Sequence, residues 1–326
     1  MLDEIKSFLG RDWDDTEALI RSSLRSDIEL LDKTNEAILS HNGKQLRPMV
    51  SLLIARACGE GKATEDSIRF AAASELLHNA TLLHDDVVDG SKQRRGRPTV
   101  MSLLGGPASV LIGDFWLVRS IGDILSSPEH SEEVTRIFAK TLADLAEGEM
   151  LQMEKASNGD TDEDDYLRII YSKTASLFEA ACVSAAISVE APGEFVKAAR
   201  EYSVSLGIAF QIMDDILDYD GNSKLGKPLG VDLEEQKITL PLLGALQAVG
   251  REEAAGVREK VKEILSHPEY KDEVEAFVCA HHGTLYARTR LEEFVGKALE
   301  ALEVLPQSKE KDYLAKIARF TAERDV

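Results

Sequence analysis

Apolar residues recur along the chain at intervals of three and four, as in Leu103, Val110, Leu111, Phe115 and Val118, and again in Leu142, Leu145, Met150 and Met153. That is the period of an α-helix with one apolar face. Strict alternation with Val, Thr and Tyr enrichment is scarce, so strands are expected only as isolated pairs. The breaks, at 59–61, 105–107, 157–160, 191–193 and 221–230, are of the size that joins helices in bundles. Thr161, with Asp164 three residues on and the apolar run 166–171 behind it, reads as a capping box that opens a helix. Apolar stretches such as 175–189 carry a charge, here Glu179, and fall short of the roughly 20 residues that cross a bilayer. They read as buried core helices. No linker long enough to separate a pair of domains is evident, so residues 1–326 are expected to form a single all-α domain.

Composition narrows the function classes. With 44% apolar residues the chain is too rich in core-forming side chains to be disordered. Its net charge of −20 argues against a nucleic-acid binder and against general adhesion to anionic lipid, both of which need dense Lys and Arg. Cys58, Cys182 and Cys279 are odd in number, far apart and free of metal-ligand spacing, so neither a disulfide framework nor a zinc site is expected. The N-terminus is acidic and lacks an apolar h-region, which leaves the cytoplasm as the expected location.

Two short segments carry chemistry. Leu82-Leu83-His84-Asp85-Asp86-Val87-Val88-Asp89 places carboxylates at i, i+1 and i+4, and the same spacing returns at Asp214, Asp215 and Asp218 after Gln211. At about 100° per residue, Asp85 and Asp89 share one helical face, as do Asp214 and Asp218. Carboxylates set in apolar helices are costly unless a cation neutralises them. An oxygen-only donor set suits magnesium, which keeps waters and binds substrate phosphates, so a phosphorylated substrate is expected. Read alone, one such motif could be a solvated helix face; two copies within apolar sequence argue against it. Against the acidic background, Lys44 and Arg47 in Gly43-Lys44-Gln45-Leu46-Arg47-Pro48, and Lys92, Arg94, Arg95 and Arg97 just after the first motif, are suited to diphosphate oxygens. Lys173-Thr174, Lys227, Lys237 and His78 carry little weight singly.

Together these residues resemble the trans-isoprenyl diphosphate synthase (polyprenyl synthetase) family, in which GGKxLRP, LLHDDxxDxxxxRRGxPT, KT, and QxxDDxxD followed by KxxGxD occur in this order. The likeness covers nearly the whole chain, ending with Glu323-Arg324-Asp325. It implies metal ligands at Asp85, Asp89, Asp214 and Asp218, with Asp86 and Asp215 supporting. It implies an isopentenyl diphosphate site at Lys44, Arg47, His78 and Arg95, and contacts to an allylic diphosphate from Arg94, Lys173, Thr174, Gln211, Lys227 and Lys237. The fold it implies is a homodimer of helical bundles, each with a deep central cavity. Asn42 departs from the first Gly of GGK, and Met101 and Leu104 stand where relatives often carry Asn and an aromatic residue.

The implied reaction is head-to-tail condensation: metal and cations stabilise the departing diphosphate, the double bond of isopentenyl diphosphate attacks, and a proton leaves, with the released diphosphate as the expected acceptor. In the family, bulky residues just before the first motif stop growth early. Ala80 and Thr81 are small, so a long-chain product is expected, with a farnesyl or geranylgeranyl diphosphate synthase as the alternative. A terpene cyclase would not need Lys44, Arg47 and Arg95. A phosphohydrolase built on His84-Asp85 would leave the second motif idle, and a silent regulatory subunit would have lost an aspartate or arginine.

Overall fold

The computed structural model describes residues 1–41, 43–94, 96–220 and 230–323. Helices dominate, as the periodicity predicts: α1 (Leu2–Leu9), α2 (Arg11–Ser23), α3 (Glu29–Leu39), α4 (Leu46–Cys58), α5 (Glu65–Val88), α6 (Val100–Leu104), α7 (Gly106–Leu125), α8 (Ser131–Asn158) and α9 (Glu163–Ile170). After α9 comes a π-helical turn, Tyr171–Ala175, and then α10 (Ser176–Ile187), α11 (Gly193–Asp220), α12 (Val231–Glu234), α13 (Leu240–Gln247), α14 (Arg251–Glu263), α15 (Glu269–Ala280), α16 (Gly283–Ala301) and α17 (Lys309–Glu323). Among the described residues the only sheet is a hairpin of β1 (Gln93–Arg94) and antiparallel β2 (Arg97–Pro98). No described helix is long and apolar enough to cross a membrane. Packing groups the residues into two compact units: Met1–Ala139 with Ala180–Ala199 and Val304–Leu314, and Lys140–Glu179 with Arg200–Glu303 and the chain from Ala315 onward.

In the first unit α4 and α5 are buried on nearly every face, the mark of interior helices. Thr64 opens α5: its hydroxyl accepts the Ser67 N–H at 3.1 Å, and Ser67 Oγ accepts the Thr64 N–H at 2.9 Å. Small residues let α7 run close along α5. A Cβ at Gly113 would lie 2.6 Å from His84 Cδ2 and 3.2 Å from the Ala80 carbonyl. Ser109 and Ser120 donate across the gap to the Leu83 and Ala73 carbonyls at 2.8 and 2.9 Å. Ile20, Leu24, Leu39, Leu76, Ile112 and Trp116 fill the core beside them. The apolar repeat that reveals α7 does not all face this core. Leu111, Val118 and Leu125, seven residues apart, are 68, 67 and 59% exposed.

In the second unit, α9 starts one residue later than the Thr161/Asp164 pattern suggests. Asp162 is the cap: its carboxylate accepts the Asp165 N–H at 2.8 Å, and Asp165 accepts the Asp162 N–H at 3.3 Å. Thr161 is buried, and the four consecutive acidic residues 162–165 offer the box in either register. Glu163, on the first turn, accepts Tyr286 Oη at 2.6 Å, Gln247 Nε2 at 3.1 Å and Arg290 Nε at 2.9 Å, tying α9 to α13 and α16.

Candidate active site

The first aspartate motif closes α5. Asp89 is the residue just past the helix, and its N–H donates to the Asp85 carbonyl at 2.9 Å, so Asp85 and Asp89 lie one turn apart on one face. Asp85 is half-buried and Asp89 exposed, whereas Asp86 is buried and accepts Arg94 Nε at 2.9 Å. The outer two are thus placed to take a ligand, while the middle one anchors the β1 arginine. The short turn between α4 and α5 makes them an antiparallel pair, which brings the start of α4 beside the middle of α5, near His78. Exposed Lys44 and half-buried Arg47 flank Gln45 at that start, the end of the helix whose dipole favours an anion. Arg95 lies outside the described residues, as do Asn42, Lys227, Arg324 and Asp325.

In the second unit a similar pattern of burial recurs on α11. Asp214 is exposed and Asp218 half-buried; Asp215 is buried and fully engaged, accepting Tyr166 Oη at 2.6 Å and Gln211 Nε2 at 2.9 Å. Gln211 in turn accepts Thr174 Oγ1 at 3.0 Å. Lys173, next to Thr174 on the π-turn, reaches Glu149 Oε1 at 2.6 Å and Gln152 Oε1 at 2.9 Å. Asp218 accepts the N–H groups of Val231 and Asp232 at 3.2 and 3.1 Å, which docks α12 against α11. A cavity of about 130 Å³ opens among Tyr166, Lys173, Gln211, Asp215, Asp232 and Lys237.

Asp232 is a site residue that the sequence motifs do not single out, although it closes the KxxGxD segment that contributes Lys227. Burial pushes its carboxyl up to about 6; Lys237 opposes this, while Asp218 and Glu235 add to it. Asp215 is raised well above the ordinary carboxylate range by burial and by Asp232, despite its bonds from Tyr166 and Gln211. Four carboxylates, Asp214, Asp215, Asp218 and Asp232, thus act on one another here, with Lys173 and Lys237 beside them. An oxygen-only set of carboxylates in that condition fits a hard divalent cation.

A second group, Glu129, His130 and Glu190, has ligand atoms within 4.8 Å of one another. It adjoins Thr64 and Asp66 at the opposite end of α5. Nineteen residues of helix, about 28 Å, separate that end from Asp85. It is no part of the aspartate centre.

A family model described as "Polyprenyl synthetase" matches residues 28–279. The chain belongs to the polyprenyl synthetase family. It is 40% identical to an octaprenyl diphosphate synthase of Haemophilus influenzae, over 99% of this chain and 97% of the relative. It is 38% identical to one of Escherichia coli, over 99% of each. A decaprenyl diphosphate synthase of Rhodobacter capsulatus has a crystal structure that superposes with a TM-score of 0.90 at 36% identity, over the full length of both chains. The chain is accordingly a trans-polyprenyl diphosphate synthase, a prenyltransferase with the all-α fold of that family. Family members are generally metal-dependent and use isopentenyl and allylic diphosphates.

Proposed function

We propose that this synthase condenses isopentenyl diphosphate onto an allylic diphosphate, with magnesium, and extends it to a long all-trans product. The observation that carries the reading is the charge of the second unit's cavity, where Asp215 and Asp232 crowd together with Lys173 and Lys237 beside them. Asp214 and Asp218 in the second unit, and Asp85 and Asp89 in the first, are the residues that would hold magnesium. When bound, it neutralises charge on the leaving diphosphate. Lys173, Lys237 and Thr174 bind and orient the allylic diphosphate, and their donors take up negative charge as the carbon–oxygen bond breaks; the family motif assigns Arg94 to the same substrate. Lys227 belongs with them by the family motif. Lys44, Arg47 and His78, with Arg95, hold isopentenyl diphosphate beside the start of α4. Its double bond attacks the allylic carbon, and the released diphosphate takes the proton.

Residues 1–326 act as one catalytic domain, in the cytoplasm, and as a homodimer. The exposed stripe of Leu111, Val118 and Leu125 supports the dimer, since a monomer that size does not keep such a row in water without cost. Incubation with farnesyl diphosphate, isopentenyl diphosphate and magnesium, followed by separation of the dephosphorylated products, tests the reading. Prenols longer than geranylgeraniol are expected, with none formed in EDTA. Products that stop at farnesyl or geranylgeranyl would make it a short-chain synthase instead.

A further inference from the structure

Lys173 and Thr174 do not sit on regular α-helix. The Ser176 N–H donates to the Tyr171 carbonyl five residues back, so one extra residue is wound into the helix at Tyr171–Ala175. Such a turn is intrinsically less favourable than the α-helix on either side, and two flanking helices hold it. On α8, a Cβ at Gly148 would lie 2.6 Å from Ser172 Cβ and 3.2 Å from Lys173 Cγ. On α11, a Cβ at Gly207 would lie 2.5 Å from Ala175 Cα and 2.8 Å from its Cβ. Neither contact meets the loose end of a flexible side chain, so any larger residue must move the turn itself.

A third constraint spans the turn lengthwise. Tyr171 Oη donates to Glu179 Oε2 at 2.8 Å, and Arg200 Nη1 holds the other carboxylate oxygen at 2.6 Å. Eight residues of uninterrupted α-helix would set Tyr171 and Glu179 about 80° apart around the axis; the inserted residue reduces this to about 20°. The hydrogen bond therefore selects the π-turn over a plain helix.

We propose that Gly148, Gly207 and the Tyr171–Glu179 bond are positioning elements that fix the π-turn, and through it set Lys173 and Thr174 for the allylic diphosphate. This rests on the reading that Lys173 binds that substrate. The same rotation aims Lys173 between Glu149 and Gln152 and Thr174 at Gln211. Relaxation of the turn to plain α-helix would swing both side chains away from these partners by most of the angle that one residue contributes.

Steady-state kinetics on Tyr171→Phe, Gly207→Ala and Gly148→Ala, with both substrates varied, test it. Gly256→Ala serves as the control, because a Cβ there meets nothing within 4 Å. For Tyr171→Phe and Gly207→Ala the expected result is a rise of about tenfold in KM for the allylic diphosphate, as misplaced binding groups produce. KM for isopentenyl diphosphate should stay within about twofold of the parent. Glu179→Gln keeps an oxygen for the Tyr171 hydroxyl and should restore most of what Glu179→Ala loses. A uniform loss for both substrates, or a lowered melting temperature with unchanged KM values, would overturn the proposal and leave only a packing role. If Gly148→Ala does not fold, Tyr171→Phe still decides, since it adds no atom to the packed turn. Lys173→Ala separates the two layers: no change in allylic KM would refute the binding role of Lys173 itself, whereas a change there beside wild-type behaviour of Tyr171→Phe and Gly207→Ala would refute only the positioning.

Discussion

Within each aspartate motif the three carboxylates do different work, and burial tells them apart. Asp215 and Asp86 are buried and spend their oxygens on Tyr166, Gln211 and Arg94; Asp214 and Asp89 are exposed and Asp85 half-buried, while half-buried Asp218 also accepts the Val231 and Asp232 N–H groups. Asp214→Ala should therefore cut turnover on the order of a hundredfold, as removal of a group that stabilises transition-state charge does. Its melting temperature should hardly move. Asp215→Ala should lose activity and stability together, because it leaves the buried Tyr166 hydroxyl without its acceptor, a penalty of about 1–3 kcal/mol. Kinetics and thermal melts on the two variants check this, and equal melting behaviour would contradict it. The i, i+1, i+4 spacing is legible in the sequence because helical geometry alone converts it into shared faces. Asp232 is not legible in that way: it reaches the site only because Asp218 captures the start of α12, a tertiary contact across a 14-residue separation.

At the scale of elements, periodicity identifies helices but not which face each one hides. The apolar run through Leu111 and Val118 correctly predicts α7, yet its outer stripe is exposed while small residues, Ser109, Gly113 and Ser120, make the inner face against α5. If that stripe is the homodimer contact, Leu111→Glu should yield monomers in light scattering, since it would bury a charge in an apolar interface. A dimer that persists would move the interface elsewhere. The π-turn is likewise invisible to pattern, because an inserted residue changes no composition. So is the register of the α9 cap, which Asp162 wins over Thr161. Beside that cap, Glu163 shows what ties an element in place. Burial alone would raise its carboxyl, but the bonds from Tyr286 and Gln247 and the charge of Arg290 outweigh burial and hold it below the ordinary value. A depressed folded-state pKa stabilises above the unfolded pKa and is lost as pH falls through the folded one. Glu163→Gln should thus cost on the order of 1 kcal/mol at neutral pH. The difference from the parent should shrink as acid titrates the parent's carboxylate, and denaturant melts at pH 7 and pH 3 would show it. A gap equal at both pH values would mean that the charge contributes nothing.

For the molecule as a whole, the quantity to explain is how far the product grows before it is released. If the allylic diphosphate is held at Asp85 and Asp89, the hydrocarbon has to run back along α5, and Ala80 and Thr81 lie about 6–7.5 Å upstream at 1.5 Å per residue. Both are small, which favours growth past this level, but the two are not equivalent. Ala80 is 1% exposed and sits in the cluster with Ile112 and Trp116, its carbonyl backed closely by Gly113. Trp116 cannot yield easily, because its indole N–H donates to Asn35 Oδ1 at 2.8 Å in a fully buried setting. A phenyl ring at 80 must therefore overpack the core, at about 1–3 kcal/mol. Thr81 is half-buried and its hydroxyl only caps the His78 carbonyl at 2.8 Å, so a ring there can project away from the core instead. Thr81→Phe should shorten the product while turnover with farnesyl diphosphate stays within a few fold of the parent. Ala80→Phe should lower the melting temperature by several degrees whatever it does to chain length. Product chromatography beside thermal melts of both variants checks the contrast. An unchanged product from Thr81→Phe would place the limit of growth deeper, toward Trp116 and Leu117, where side chains on α7 rather than on α5 would then set the length.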